Sequence, residues 1–263
     1  MTSWASYSGH LSFSKYGKGD SVLIAFHGFG QDKSFFRSWG KVLSSKYTLY
    51  AIDLFYHGES KRRSQTLTKN EWKAHFADFI KSENLSRFSI LGYSLGGRFA
   101  IVSALLFKNK VDNLILIAPD AVFHTIWFKM ATTPVIRNIF KYLMHNPDKL
   151  DSWISFGERN RIIGKYIVDF VRKEMGTAEN REKVYLSWNH FKPLGFSHKE
   201  LINQFQNTRF QRKILLGSKD YIIKPDDILP IIERLGGFDV RIFDKKHHQL
   251  LDLEVARSLI KSS

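Results

Sequence analysis

Ser94 stands in Gly92-Tyr93-Ser94-Leu95-Gly96, a G-x-S-x-G spacing whose flanks suit a nucleophile. Phe88-Ser89-Ile90-Leu91 before it reads as a short buried strand, and Gly97 to Phe107 after it as an apolar helix. A serine on a tight turn between the two holds its hydroxyl outward, beside the first backbone N–H groups of the helix. Glycines two residues either side are needed because a side chain there would meet the neighbouring strand or helix. A serine hydroxyl is a poor nucleophile until a base takes its proton, and the base works best when a carboxylate fixes its tautomer. Asp220, in Leu216-Gly217-Ser218-Lys219-Asp220, and the adjacent His247 and His248 each follow a later apolar run. Both would then lie at C-terminal strand ends, where an open parallel sheet assembles its site.

The elements that must position these groups are legible as alternation. Ser21–Phe26, Tyr47–Ile52, Phe88–Leu91, Leu114–Ala118, Lys213–Gly217 and Val240–Phe243 read as strands. Helical patterns run from Phe35 to Leu43, after Ser94, from Asp227 to Leu235 with Gly236-Gly237 as a stop, and from about Leu253 to Lys261. Thr68 followed by Glu71 is a capping box, and Trp72, Phe76, Phe79 and Ile80 then share one helical face. Alternating β and α elements imply an α/β fold with a doubly wound, mostly parallel sheet.

Residues 121–208 break the alternation. They are helix-patterned, carry many aromatic residues from Trp127 to Phe191, and are divided by turns at Pro134, Asn146-Pro147, Gly157 and Pro193. The expected organisation is a core of 1–120 and 209–263 with a helical cap inserted at 121–208. Most of the cap's aromatics are expected in its own core and its seam with the sheet, the rest along an apolar substrate pocket.

Composition removes several chemistries. The 263 residues include no cysteine, which excludes disulfides, thiolate metal sites and cysteine nucleophiles. The histidines outside the motifs show no metal-ligand spacing, and neither a phosphate-binding loop nor a dinucleotide fingerprint occurs, so no metal or cofactor is expected. The net charge of +15 raises nucleic acid or anionic lipid as partners. It is spread along the chain, however: residues 121–208 hold +5 of it, and Lys61-Arg62-Arg63 is the one compact run. A small-molecule substrate is therefore the expected partner, with no specific nucleic acid and with peripheral contact to an anionic surface left open. No apolar run is long enough to cross a bilayer, and Met1–His10 lacks a basic start followed by an apolar run. A cytoplasmic protein is the resulting expectation.

Four stretches together carry a resemblance: Phe26-His27-Gly28-Phe29-Gly30, Asp53-Leu54-Phe55-Tyr56-His57-Gly58-Glu59-Ser60, the serine turn, and Gly217-Ser218-Lys219-Asp220. Over essentially its whole length the sequence resembles the α/β-hydrolase superfamily, most closely its small capped serine members such as carboxylesterases and carbon–carbon bond hydrolases. The chain order Ser, Asp, His is the order of that superfamily. The resemblance implies an oxyanion hole formed by the N–H groups of Phe29 and Leu95, and makes Asp53 and His57 structural rather than reacting groups. Tyr56 departs from the usual pattern by replacing the first glycine of its motif.

Lys245-Lys246-His247-His248 offers two bases where the superfamily has one after a glycine. Alignment of Leu250-Leu251 and the helix near Val255 points to His248, and spacing to Asp252 points to His247; the expectation is His248. The leading functional expectation is a cofactor-independent hydrolase that uses Ser94, His248 and Asp220 on an ester, thioester or related carbonyl. A second is a lyase or carbon–carbon hydrolase with the same triad. The run Gly-Tyr-Ser-Leu-Gly-Gly-Arg is similar to the menaquinone-pathway lyase, which implies that Arg98 binds a substrate carboxylate; the alternative for Arg98 is a surface or helix-capping role. A third is a binding protein or receptor that keeps the fold with little turnover.

Overall fold

The computed structural model describes residues 2–6, 9–60, 66–120 and 134–260; the Lys61-Arg62-Arg63 run, Trp127 and Phe128 lie outside them. Its strands are β1 (Thr2–Ser6), β2 (Gly9–Tyr16), β3 (Ser21–Phe26), β4 (Tyr47–Ile52), β5 (Phe88–Tyr93), β6 (Val111–Ile117), β7 (Gln211–Gly217) and β8 (Phe238–Phe243). They form one sheet in the order β1-β2-β4-β3-β5-β6-β7-β8. β4 and every later strand pair in parallel with β3 or its successors, and β1 and β2 add an antiparallel edge. The sheet is the mostly parallel, doubly wound one implied by the alternation of elements. The β1–β2 hairpin is an addition to that reading.

The chain leaves β3 for β4 on one side and then crosses to β5 on the other. The loops after β3 and β5 therefore diverge and open a crevice at the C-terminal ends of the strands, the usual position for a site in such sheets. β5 is buried along its whole length because helices cover both faces of the sheet centre.

Helix α1 (Arg37–Leu43) is preceded by a 3-10 turn, Lys33–Phe36. Helix α2 (Lys69–Ser82) starts at the capping box, where the Thr68 hydroxyl accepts from the Glu71 N–H and Glu71 returns to the Thr68 N–H. Its buried residues are Trp72, His75, Phe76, Phe79 and Ile80. Trp72 packs against Phe26 of β3 and against Phe99 of α3 (Gly96–Leu106), with ring centroids 5.7 and 4.9 Å apart. Each such ring contributes roughly 1.5–3 kcal/mol by leaving water. The indole N–H of Trp72 is satisfied by Ser103 Oγ at 2.8 Å, so burial leaves no unpaired donor there.

Two compact units emerge: Met1–Phe123 with Pro193–Ser263, and His124–Lys192. The second contains helices α4 (Pro134–His145), α5 (Pro147–Arg159), α6 (Lys165–Glu174) and α7 (Ala178–His190). Within it Phe140 stacks on Trp188, centroids 5.5 Å apart. The buried Arg181 donates to the carbonyls of Met144 and Met175, which lie at the C-terminal ends of α4 and α6. A cation there satisfies carbonyls that have no helical partner and complements the dipoles. Three of its aromatics, Tyr142, Trp153 and Phe156, are exposed. Residues 193–208, read from sequence as part of the insertion, cluster instead with the sheet. The reason is α8 (His198–Gln206), whose Phe205 packs edge-on against Phe210 and Phe238.

At the β4 end lies a partly buried ionic cluster, with Lys33 and Asp53 buried and Glu59 exposed. Asp53 is fully buried and accepts from the Lys33 backbone N–H and Nζ, both at 2.6 Å, and from the Glu59 N–H at 2.8 Å. Lys33 Nζ also reaches Glu59 Oε2 and Ser12 Oγ. Burial opposes the charge on Lys33, but the hydrogen bonds to Asp53 and Glu59 outweigh it and raise its pKa. Removing one member of such a cluster strands a buried charge. Lys33→Ala should lower unfolding stability by about 3–5 kcal/mol, read as a drop in the urea midpoint at constant slope.

Candidate active site

Ser94 follows β5 directly and has φ of 50°, in the left-handed region that a non-glycine residue adopts only under constraint. The constraint is the sharpness of the strand-to-helix turn. A Cβ on Gly92 would lie 2.5 Å from the Gly96 carbonyl oxygen and 2.6 Å from Ala100 Cβ. One on Gly96 would lie 2.2 Å from the Phe26 carbonyl oxygen at the end of β3. Both glycines are therefore required by close approach. The turn is pinned further by Ser94 N–H to Ile117 O and by Asp120 N–H to Ser94 O.

Asp220 and His247 reach Ser94 from the ends of β7 and β8. Asp220 Oδ1 accepts from the N–H groups of Ile222 and Ile223, at 2.8 and 2.9 Å. That leaves Oδ2 to accept from His247 Nδ1 at 2.7 Å. With its proton on Nδ1, the imidazole presents Nε2 as an acceptor, and the Ser94 hydroxyl lies 3.1 Å from it. The Asp220 side chain is fully buried, and that of His247 is 12% exposed, so the acid is shielded from water while the ring stays reachable.

The imidazole that meets Ser94 is thus that of His247, not the His248 expected from alignment of the chain ending. A 3-10 helix runs from His247 to Leu251, and residues three apart in such a helix share a face. Leu250 and Leu251 are both buried, so this phase does not separate the two histidines; the hydrogen bonds of His247 to Asp220 and Ser94 do, and His248 is exposed. The sequence did carry the deciding signal, in the spacing to Asp252. Lys245 pairs with both Asp252 and Glu254, and Asp252 caps α10 (Leu253–Ser258) by accepting from Val255 N–H. Trp39 of α1 donates its indole N–H to the Leu251 carbonyl, and Tyr93 donates its hydroxyl to the His247 carbonyl.

The loops after β7 and β8 are laced together. Ser218 N–H donates to Phe243 O, Lys219 N–H to Lys245 O, and Lys219 Nζ reaches Asp244. A Cβ on Gly217 would lie 2.3 Å from the Lys245 carbonyl oxygen. Gly217→Ala should therefore push the His247 segment away from Asp220. The overpacking should lower unfolding stability by about 1–3 kcal/mol, read as a drop in the urea midpoint.

Phe29 and Leu95 lie just beyond the C-terminal ends of the neighbouring parallel strands β3 and β5. Phe26 of β3 pairs with Gly92 of β5, and each residue lies three positions beyond its member of that pair. Leu95 caps α3, whose first N–H groups have no intrahelical acceptor. The loop that carries Phe29 is fixed by Gly28 N–H donating to Gln31 Oε1, and a Cβ on Gly28 would lie 2.9 Å from the Tyr93 ring.

Arg98 is neither at the surface nor at a helix cap. It is 1% exposed, and its Nη2 donates to Asp120 Oδ2 at 3.2 Å. Asp53 and His57 stand apart from the hydrogen-bonded chain through Ser94: Asp53 serves Lys33, and His57 Nδ1 donates to the Phe55 carbonyl. Tyr56 holds the left-handed φ of 69° that the glycine usual at its position would take freely. The cost of that conformation is about 1 kcal/mol. Among the described residues, no group of three or more histidine and acidic side chains is placed to hold a metal ion. No described helix is long and apolar enough to cross a membrane.

A family model described as the alpha/beta hydrolase fold matches residues 21–252. The chain belongs to the α/β hydrolase fold family. An abhydrolase domain-containing protein of Schizosaccharomyces pombe is 28% identical over 180 residues, 64% of each chain. The chain spans a smaller share, 35%, of an uncharacterized Mycobacterium tuberculosis relative. Among solved structures, an esterase from Thermogutta terrifontis superposes with a TM-score of 0.72 at 17% identity, covering 96% of this chain and 92% of its own. A meta-cleavage product hydrolase from Pseudomonas fluorescens superposes at 0.68 and 17% identity, covering 99% and 96%. These likenesses establish the shared α/β hydrolase fold.

His27 has a definite protonation state within this fold. Its Nδ1 donates to the Gly28 carbonyl at 2.7 Å, and its Nε2 accepts from the Leu54 N–H at 3.1 Å, which only the neutral ring can do. Complete burial drives its pKa down to about 4, against a hydrogen bond that would raise it. The unfolded chain therefore takes up a proton at His27 between pH 6.5 and 4 while the native state does not. Stability falls with pH across that window, by about 3 kcal/mol from this residue. The stability advantage of the native protein over His27→Gln should shrink by that amount between pH 7 and 4, read by urea unfolding at each pH.

Proposed function

We propose that this α/β hydrolase is a cofactor-independent serine hydrolase acting on an ester, thioester or related carbonyl compound. The observation that carries the reading is the hydrogen-bonded sequence Ser94 Oγ, His247 Nε2, His247 Nδ1, Asp220 Oδ2, with separations of 3.1 and 2.7 Å at its two ends. In this reading Ser94 Oγ attacks the carbonyl carbon as its proton passes to His247 Nε2. Asp220 stabilises the resulting imidazolium without taking the proton. The N–H groups of Phe29 and Leu95 receive the oxyanion of the tetrahedral species, each worth about 3 kcal/mol of barrier. The imidazolium then gives its proton to the leaving oxygen or sulfur, and the acyl–oxygen bond to Ser94 remains. Water, deprotonated by His247, adds to the acyl-enzyme and releases the acid and free Ser94.

A carbon–carbon bond hydrolase using the same three residues is the second reading, and the meta-cleavage product hydrolase fold is its support. The lyase reading asks Arg98 to bind a substrate carboxylate. Its burial and its pairing with Asp120 count against that, because the substrate would have to displace an acid already in place.

A fluorophosphonate probe should label the native protein and leave Ser94→Ala unlabelled; labelling retained in Ser94→Ala would falsify the nucleophile assignment. His247→Ala and Asp220→Asn should each lower kcat by about 10⁴ on p-nitrophenyl esters. His248→Ala should stay within a few-fold of native, and equal losses at both histidines would remove His247 from its role. An acyl chain-length series of p-nitrophenyl esters and acyl-CoA thioesters separates esterase from thioesterase. No turnover across that series, with tight binding of one member, would favour a receptor.

A further inference from the structure

β8 closes the sheet on one side, and among the described residues no strand pairs with its outer edge. It is regular, paired with β7 without a break from Phe238 to Phe243. It contains neither proline nor lysine, two of the devices that usually keep an edge strand from pairing. Val240 and Ile242 are 37% and 50% exposed on it.

The direction of its backbone groups follows from one bond. The Phe243 carbonyl accepts from Ser218 N–H, on the β7 side. Along a strand these groups alternate in direction, so Arg241 and Asp239 also face β7. Phe238, Val240 and Ile242 therefore turn their N–H and C=O outward, toward the open edge.

The outward residues belong to a self-complementary sequence, Phe238-Asp239-Val240-Arg241-Ile242. In an antiparallel pairing with Val240 opposite the partner's Val240, Phe238 falls opposite the partner's Ile242 and Asp239 opposite the partner's Arg241. The two-fold axis repeats each pair. Apolar meets apolar on one face and acid meets base on the other. The outward groups of Phe238, Val240 and Ile242 are those that a hydrogen-bonded antiparallel pair exchanges. A register shifted by two residues along one strand would lose an apolar pair and set Asp239 or Arg241 against its own kind. Within one chain, Arg241 Nη2 already donates to Asp239 Oδ2 at 3.1 Å, with the two side chains 32% and 45% exposed. Both charges thus lie on one face of the strand, within reach of a second strand.

We propose that β8 is a self-association edge, pairing antiparallel with β8 of a second copy about a two-fold axis at Val240 and joining two sheets into one. The surface fits its own copy rather than an unrelated strand because both its hydrophobic and its charge patterns are palindromic about Val240.

Sedimentation velocity of the full chain across a concentration series should show a monomer–dimer equilibrium. Asp239→Arg sets arginines opposite one another at both ends of the pairing and should raise the dimer dissociation constant about tenfold or more. Asp239→Arg combined with Arg241→Asp should restore it, with thermal unfolding reporting that each variant folds. Because the chain has no cysteine, Val240→Cys places a single thiol at the axis. A short bismaleimide should link it into a covalent dimer, and Asp227→Cys on α9 (Pro225–Leu235) should stay monomeric under the same treatment. A native protein that is monomeric throughout, a dimer indifferent to Asp239→Arg, or no cross-link at Val240→Cys would each overturn the proposal.

Discussion

The site depends on how closely α3 approaches the end of β3. The start of α3 lies so near the Phe26 carbonyl that Gly96 has no room for a Cβ, and Gly92 is equally confined from the other side. That closeness forces the turn between β5 and α3 to be abrupt, which puts Ser94 in the left-handed region and lifts its hydroxyl clear of the sheet. It also brings the first N–H groups of α3 level with the loop after β3. A gentler turn would sink the hydroxyl among the strand ends and separate it from both. The strain at Ser94 is held by surrounding order: Phe26, Trp72 and Phe99 interlock beneath the turn, and Ile117 and Asp120 bond to its backbone.

The partners of Ser94 arrive by a different device. Asp220 and His247 lie on loops, which taken alone would be mobile. Here each loop is bonded to the other along its length, and the 3-10 helix that opens with His247 is fastened to α1 through Trp39 and to α10 through Asp252. The imidazole is thus oriented from two sides: Asp220 at one nitrogen, and Tyr93 against its ring and carbonyl. Preorganisation of this kind is what lets a hydroxyl and an imidazole meet without paying the ordering entropy at each encounter.

Much of this was legible in the sequence because the relevant signals are local. The buried strands Ser21–Phe26 and Tyr47–Ile52 and the capping box at Thr68 each carry their structure within a few residues. The glycines around Ser94 do so as well, since a close approach admits no other residue. The ambiguity between His247 and His248 arose because neighbouring residues in a loop can face opposite ways, and the leucines that follow do not decide between them, since Leu250 and Leu251 are both buried. The boundary at residue 193 was obscured because α8 is amphipathic like α4, α5 and α6; Phe205, packed on Phe210 and Phe238, joins it to the sheet unit. The exposure of Trp153 and Phe156 could not be read from pattern, because an aromatic at helical spacing looks the same whether or not anything covers it.

Two aspartates at strand ends, Asp53 and Asp220, show how partners rather than position decide what a carboxylate can do. Both are almost fully buried, and each accepts backbone N–H bonds. Asp53 has both oxygens committed, to Lys33 at either and to Glu59 N–H at one, so its charge is neutralised locally and nothing is left to orient a neighbour. Asp220 confines its backbone bonds to Oδ1, and among the described residues no lysine or arginine is paired with it. Its Oδ2 is therefore left to meet His247 Nδ1, at 2.7 Å. Exchanging the surroundings of the two acids would exchange their capacities, although both would keep the same chemical group at the same edge of the same sheet.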